Sequence, residues 1–139
     1  MKWKYTDQYI KIYKNTPSYG LTGRNYINLI NSFILDYGIK SVFDFGCGRN
    51  AYVVSHLKEK FPYLDILGYD PAIQYNTELT TNIFPSDRKF DIIISTDCLE
   101  HVPEEELITC WKLFNSLEPK YMFHVVCTRL AVQTLPDGT

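Results

Sequence analysis

A short glycine turn between an apolar segment and a helical pattern carries the first chemistry of this sequence. Residues 42–45 are apolar apart from Asp44, and they lead directly into Gly46, Cys47 and Gly48. Glycine adopts backbone angles that other residues avoid and lets a ligand approach the main chain, and the following helix presents unpaired N–H groups. We therefore predict that this strand-to-helix turn binds a nucleotide-like ligand.

An acid stands at the end of the next predicted strand, residues 64–69. Asp70 follows Gly48 by 22 residues. In a doubly wound sheet, an acid about 20 residues beyond a glycine turn can accept hydrogen bonds from both ribose hydroxyls. Taken alone, Asp70 would fit equally well as an exposed turn acid before Pro71. The glycine turn upstream favours the ribose role.

A third buried strand, residues 90–95, leads into a turn that contains His101. Histidine can take a proton from a hydroxyl or ammonium group at neutral pH, so His101 is the candidate general base. A structural histidine that bonds the backbone at this turn is the alternative interpretation. We expect His56 and His124 to be structural.

Four helical patterns surround these strands. Residues 1–23 are aromatic and basic, with Thr6 as the expected N-cap; they form either an arm or lid, or a helix packed on the body by its aromatic side chains. Residues 26–37 are strongly amphipathic and end at Gly38. A third helix follows the glycine turn, and a fourth begins with Pro103 at its first position. The fourth helix is expected to bury Leu107, Trp111, Phe114 and Leu117.

Strands that alternate with helices predict an α/β fold. We expect a Rossmann-like, doubly wound, mostly parallel sheet with helices on both faces and a last strand at residues 121–126. The chain has 139 residues, of which 45% are hydrophobic, enough for one core. This predicts a single domain over residues 1–139, with an N-terminal arm at 1–23 and the core at 24–139.

Charge and cysteine usage narrow the range of partners. The formal net charge of -2 gives no general attraction to phosphate backbones, which disfavours nucleic acid. The four cysteines form no Cys-x-x-Cys pair, and no apolar run is long enough to span a membrane or to act as a signal peptide. We expect a cytoplasmic protein with neither a metal site nor a membrane segment.

Three motifs in order resemble those of class I S-adenosylmethionine-dependent methyltransferases, particularly small bacterial and phage methyltransferase-domain proteins. They are Asp-Phe-Gly-Cys-Gly at 44–48, Asp70 closing the next strand, and Phe90-Asp91 leading through a strand to Leu-Glu-His-Val at 99–102. The resemblance implies S-adenosylmethionine as cofactor and methyl transfer to an oxygen or nitrogen of an acceptor, with a small molecule as the expected partner.

The resemblance also assigns residues to parts of the cofactor and acceptor. Asp44 and the backbone of Gly46, Cys47 and Gly48 would hold the methionine part, Asp70 the ribose, and Pro71, Ala72 and Ile73 the edge of the adenine. Ser95, Thr96 and Asp97 would lie under the sulfonium and amino group, Leu99, Glu100 and His101 would line the acceptor side, and Arg24 is a further candidate for the cofactor carboxylate.

The C-terminal part departs from the family pattern. Too few residues follow the last predicted strand for the antiparallel hairpin of strands 6 and 7 that such enzymes carry. The chain is then either a fragment or a naturally shortened protein; if it is shortened, an open edge at 121–126 would be covered by pairing, and we expect a homodimer. The same departure leaves an alternative: a truncated or degenerate module that binds S-adenosylmethionine or S-adenosylhomocysteine without transferring a methyl group.

Two other functions, dinucleotide binding and methylation of DNA amino groups, are disfavoured by the sequence. The run 46–51 also satisfies the Gly-x-Gly-x-x-Ala fingerprint of dinucleotide-binding proteins, but Asp44 would place a carboxylate near an anionic pyrophosphate, whereas a cationic methionyl group would attract it. Enzymes that methylate DNA amino groups carry an Asp-Pro-Pro-Tyr motif after the fourth strand, where this chain has Ser95-Thr96-Asp97-Cys98.

Overall fold

A computed structural model describes residues 2–129 and 135–138. The α-helices in this part of the chain are α1 (Thr6–Asn15), α2 (Ile27–Asp36), α3 (Tyr52–Lys60) and α4 (Glu104–Ser116). The strands are β1 (Ser41–Phe45), β2 (Asp65–Tyr69), β3 (Thr80–Thr81), β4 (Ile92–Thr96) and β5 (Tyr121–Val125). Short 3-10 turns at Thr22–Tyr26 and Leu99–His101 precede α2 and α4.

The five strands form one sheet in the order β3-β2-β1-β4-β5, and every neighbouring pair is parallel. The chain moves outward from β1 to β2 and β3, then crosses back to β4 on the other side of β1. This reversal confirms the predicted Rossmann-like, doubly wound arrangement. It also places a topological switch point beside β1, where ligands bind at the carboxyl ends of strands in open α/β sheets.

Alternation along β1 divides the interior into two cores. Val42 belongs to a core with α2 and α3, where Ile34 and Leu57 are fully buried. Its neighbour Phe43 belongs to the opposite core, together with Phe114 of α4. Because successive side chains of a strand point to opposite faces, helices cover both faces of the sheet, as predicted.

Helix α4 differs from its prediction at two points. Pro103 has a ψ of 143°, which is extended, so it precedes the helix and Glu104 is the first helical residue. The buried side chains are Cys110, Phe114 and Leu117, spaced by four and three residues, whereas Trp111 is 44% exposed. Trp111 stands at the border of the stripe and contacts the ring of His124.

The predictions for the first two helices were partly wrong. Thr6 is the first residue of α1, not its N-cap, and the residue before it makes no side-chain cap. In α2 the predicted stripe was too wide, because Leu29 and Tyr37 are about half exposed. Gly38 does follow α2 with a φ of +59°, the left-handed conformation in which glycine commonly ends a helix.

Strand β5 is an edge of the sheet, since it pairs only with β4 among the described residues. Tyr121 and Met122 are each 40% exposed, so this strand is less buried than β1 or β4. The turn after it is present at residues 136–138, where Gly138 N–H donates to the carbonyl of Leu135. The predicted absence of a further hairpin falls partly on residues 130–134, which lie outside the described residues.

Candidate functional site

A cavity lies at the carboxyl ends of β1, β2 and β4, at the switch point of the sheet. Its floor contains Gly46 and Gly48 from the turn after β1, Asp70 after β2, and the turn after β4. Helix α1 and the residues before it line the opposite side. A ligand in this cavity would therefore touch three strand ends and the N-terminal segment together.

The glycine turn has the backbone that only glycine adopts readily. Gly46 and Gly48 have φ angles of +78° and +73°, in the left-handed region that disfavours a side chain. A Cβ on Gly46 would also collide with the sulfur of Cys98. The N–H groups of Gly46 and Cys47 donate to the carbonyl of Tyr69 at 2.7 and 3.1 Å, which ties this turn to the end of β2.

Asp70 is held in place by three hydrogen bonds although only 5% of it is exposed. The Gly48 N–H donates to Oδ2 at 3.0 Å, and the Ala72 N–H donates to Oδ1 at 2.9 Å. The hydroxyl of Tyr13 donates to Oδ2 at 2.6 Å. Burial raises the pKa of Asp70, and these three donors oppose that rise.

Tyr13 is the most important contact of the site that the sequence did not predict. It lies in the last turn of α1 and is 8% exposed. Burial and the charge of Asp70 raise the pKa of its hydroxyl, so the group remains a proton donor at any physiological pH. A carboxylate offers about four acceptor positions, and Tyr13, Gly48 and Ala72 use three of those of Asp70.

Asp44 lies beneath the glycine turn and does not line the cavity. It is 2% exposed, and its carboxylate accepts no hydrogen bond from the described residues. Burial, with a further contribution from the charge of Asp70, raises its pKa to about 7. A buried acid in this state would ionise more readily beside a cation.

The turn after β4 brings Thr96, Asp97 and Cys98 to the cavity wall. Asp97 has a φ of +48°, a conformation in which a non-glycine residue is uncommon and which clusters at functional sites. Ser95 is different: it is fully buried, and its Oγ lies 2.7 Å from Nδ1 of His124 in β5. Because successive side chains of a strand point to opposite faces of the sheet, Ser95 faces the core that contains α4, on the side opposite to Thr96.

On the acceptor side, only one of the three predicted residues lines the cavity. His101 does so, with its ring centroid 6.2 Å from that of Tyr9. Leu99 is buried in the core beneath. Glu100 accepts the N–H of Cys127 through Oε1 at 3.1 Å, which anchors the chain after β5.

The predicted site residues therefore divide into two sets. Those on the cavity wall are Gly46, Gly48, Asp70, Pro71, Ala72, Thr96, Asp97 and His101. Those away from it are Arg24, Asp44, Cys47, Ile73, Ser95, Leu99 and Glu100. Cys47 is turned inward, where a Cβ on Gly68 would meet it at 2.8 Å, and Arg24 is exposed on the turn before α2.

The N-terminal segment contributes aromatic side chains that the sequence analysis did not assign to the site. Trp3, Tyr5, Tyr9 and Tyr19 line the cavity in addition to Tyr13. Two contacts fix the start of the segment: Lys4 N–H donates to Glu106 Oε1 at 3.0 Å, and the indole of Trp3 donates to the Tyr69 hydroxyl at 2.7 Å. The repeat of tyrosine every four residues at 5, 9 and 13 was the available signal, because it puts the rings on one helix face.

Within residues 2–129 and 135–138, no group of three or more histidine, cysteine or acidic side chains could hold a metal ion. No helix among them is both long and apolar enough to cross a membrane.

Solved structures with a similar fold include those of DhpI and BpumL. The structure of DhpI in complex with S-adenosylhomocysteine is 19% identical, with a TM-score of 0.55 over 96% of this chain and 76% of DhpI. The plantazolicin methyltransferase BpumL, in complex with a pentazolic desmethylPZN analogue and SAH, is 16% identical, with a TM-score of 0.50. That match covers 80% of this chain and 47% of BpumL, so the chain spans about half the length of BpumL.

The likenesses to DhpI and BpumL show the fold, and no curated protein sequence matches the chain. The sequence model of the Methyltransferase domain family matches residues 24–122, which include the glycine turn, Asp70, the turn after β4 and His101. This match covers most of the chain, and the chain therefore belongs to the Methyltransferase domain family.

Proposed function

We propose that this protein binds S-adenosylmethionine and transfers its methyl group to an oxygen or nitrogen of a small-molecule acceptor. The observation that carries the proposal is the direct hydrogen bond from Gly48 to Asp70 at 3.0 Å. It joins the glycine turn to the acid at the switch point, and both belong to the cavity wall. A cofactor with an adenosine and a charged tail needs these two features side by side.

The residues present fit this cofactor. Asp70 would accept hydrogen bonds from the ribose, and Pro71 and Ala72 lie where the adenine edge would follow. S-adenosylmethionine supplies a methyl group already activated on a cationic sulfonium, so the chain's own task is to bind, align the acceptor and exclude water. DhpI and BpumL were both solved with S-adenosylhomocysteine, and we infer the same ligand class here.

The charges around the cavity favour this cofactor over a dinucleotide. Asp70 and Asp97 line the wall, and Asp44 lies beneath the glycine turn. No lysine or arginine among the described residues lines the cavity. An anionic pyrophosphate would find acids and no lysine or arginine on this wall, whereas a sulfonium and an ammonium group would be attracted.

The position of His101 supports a role for this residue in the transfer step. Its ring lies on the cavity wall beyond the turn after β4, next to Tyr9. We infer that it accepts the proton that the acceptor loses. Arg24 is exposed outside the cavity, so we do not assign it to the cofactor carboxylate.

Calorimetric titration with S-adenosylhomocysteine tests the cofactor assignment. We expect Asp70→Ala to weaken binding by about 1.5 to 3 kcal/mol, roughly ten- to a hundredfold. Melting curves serve as the control for folding, because Asp70 also holds Tyr13, Gly48 and Ala72 in place. A folded Asp70→Ala variant with wild-type affinity would sink the ribose assignment.

Incubation with methyl-labelled cofactor and a small-molecule extract tests the transfer itself. Label recovered on an extracted molecule supports the enzyme. Tight binding of the cofactor without transfer to any extracted molecule supports the alternative of a binding module. That alternative is retained because this chain covers only about half of the length of BpumL.

Two further parts of the proposal are a homodimer, supported by the edge of the sheet, and a cytoplasmic location, supported by the cysteines. We infer that β5, with Tyr121 and Met122 partly exposed, pairs with the same strand of a second copy. A monomeric mass in light scattering at micromolar concentration would argue against this dimer. The four cysteines are free thiols, which fits the reducing conditions of the cytoplasm.

A further inference from the structure

The cavity continues beyond the residues proposed to hold the cofactor. In the sheet order, β1 lies between β2 and β4, so Asp70 and the turn after β4 are on opposite sides of the glycine turn. Near the β4 turn the cavity is lined by His101, Glu106, Tyr5 and Tyr9; the Tyr9 ring lies 6.2 Å from that of His101, and Glu106 bonds the backbone of Lys4, the neighbour of Tyr5. We call these four residues the acceptor end.

The acceptor end has an acid, and no lysine or arginine among the described residues lines the cavity there. Glu106 Oε1 accepts the backbone N–H of Lys4 at 3.0 Å. The Lys4 ammonium group pairs with Glu105 at 3.0 Å and lies 5.5 Å from the centroid of the Tyr5 ring, although neither Lys4 nor Glu105 lines the cavity. The Arg49 guanidinium donates to the carbonyl of Tyr13. A negatively charged acceptor would therefore be repelled at this end.

The chemistry of the acceptor end selects for a ligand that donates hydrogen bonds. An ionised carboxylate only accepts them, so Glu106 needs N–H or O–H donors opposite it. The Tyr5 ring already carries the Lys4 ammonium group at 5.5 Å, whereas the Tyr9 ring on the cavity wall offers a π-face, which attracts cations more strongly when water is excluded. An aliphatic ammonium group both donates hydrogen bonds and carries the positive charge that a carboxylate and an aromatic ring attract.

We propose that the methyl acceptor is an amine, and that Glu106 is the residue that selects it. This inference rests on the proposed function, because it assigns the substrate class of the same site. The amine binds in its cationic form against Glu106 and the Tyr9 ring and must lose a proton before it can react.

The transfer step on an amine is balanced by the groups present. The ammonium group first passes one proton to His101 or water, the freed nitrogen lone pair forms the new N–C bond, and the S–C bond breaks with its electron pair retained by sulfur. His101 and Glu106 both line the acceptor end, so a proton acceptor and an anchor for the ammonium group are available on the same side.

A pair of probes with the same ring and opposite charge tests the proposal. With the protein saturated with S-adenosylhomocysteine, 2-phenylethylamine and 3-phenylpropionate are each titrated calorimetrically. We expect the amine to bind at least tenfold more tightly than the carboxylate. Glu106→Gln should reduce that preference about tenfold, since the amide keeps an acceptor for Lys4 N–H but loses the charge.

Glu104→Gln is the matched control, because Glu104 is exposed in the same helical turn and does not line the cavity. It should leave the preference unchanged. Equal or tighter binding of the carboxylate, no detectable binding of the amine, or an unchanged preference in Glu106→Gln would overturn the proposal. Failure of the wild-type protein to bind S-adenosylhomocysteine would instead refute the proposed function, so the two failures are distinguishable.

Discussion

Replacing Tyr13 by phenylalanine should make the cofactor bind more tightly. Tyr13, Gly48 and Ala72 fill three of the roughly four acceptor positions of the Asp70 carboxylate. Two ribose hydroxyls need two positions, and one remains. Binding through both hydroxyls therefore requires the Tyr13 hydroxyl to leave Asp70, and Tyr13→Phe removes that competitor while it keeps the ring.

The size of the expected gain in cofactor affinity follows from the hydrogen bond between Tyr13 and Asp70 that is lost. The Tyr13 hydroxyl lies 2.6 Å from Asp70 Oδ2 in a buried setting, and a hydrogen bond to a charged group contributes about 1.5 to 3 kcal/mol. When the ribose displaces the Tyr13 hydroxyl, that hydroxyl regains part of this free energy through hydrogen bonds to water or other partners. We expect a gain of about 1 kcal/mol, roughly fivefold in affinity. The free variant should be less stable by about 1.5 to 3 kcal/mol, because Asp70 loses a donor.

Titration calorimetry with S-adenosylhomocysteine and its 2′,3′-dideoxy analogue measures the effect. The gain should appear only with the ligand that carries both ribose hydroxyls. Tyr19→Phe is the matched control, because Tyr19 lies in the same aromatic cluster, 6.2 Å from Tyr13 between ring centroids, and makes no bond to Asp70. Weaker binding in Tyr13→Phe, or an equal gain with both ligands, would refute the reasoning.

Two further predictions concern Asp44 and His101. The pKa of Asp44 is raised by burial from 3.8 to about 7, so the folded state holds a proton that the unfolded state has lost between those values. The free energy of unfolding of the wild-type protein should therefore fall as pH rises from about 4 to about 7, by up to about 4 kcal/mol. Calorimetric melting should show Asp44→Asn gaining stability relative to wild type over this interval. A difference between the two proteins that stays constant with pH would contradict the burial argument. His101→Ala should lower the rate of transfer to the acceptor about a hundredfold at neutral pH with unchanged affinity for S-adenosylhomocysteine, whereas a lowered melting temperature with an unchanged rate would make His101 structural.

The parts of the fold that were predictable from sequence depend on local rules. The strands β1 and β4 are short, apolar segments next to turn residues, and Gly46 and Gly48 mark a backbone that other residues avoid. The family match over residues 24–122 supports the same motifs. The position of Asp70 could be anticipated because parallel neighbours end at the same edge of the sheet.

The parts that were missed depend on contacts between distant residues or on side-chain direction. Tyr13 and Asp70 are separated by 57 positions, and no local pattern pairs them. Ser95 was placed by its neighbourhood in sequence, but alternation along β4 turns it to His124. The buried stripe of α4 was shifted because Cys110 was not counted among the apolar residues, although cysteine is often fully buried.

The way in which α1 is attached has a consequence for how the protein folds. The contacts that fix the N-terminal segment join Lys4 to Glu106 and Trp3 to Tyr69, across 102 and 66 positions. The first helix to be synthesised can therefore complete its contacts only after the last described helix has formed. Contacts of such long range are entropically costly to close, so the cavity is completed late, and a ligand that binds only the completed cavity stabilises the final folding step.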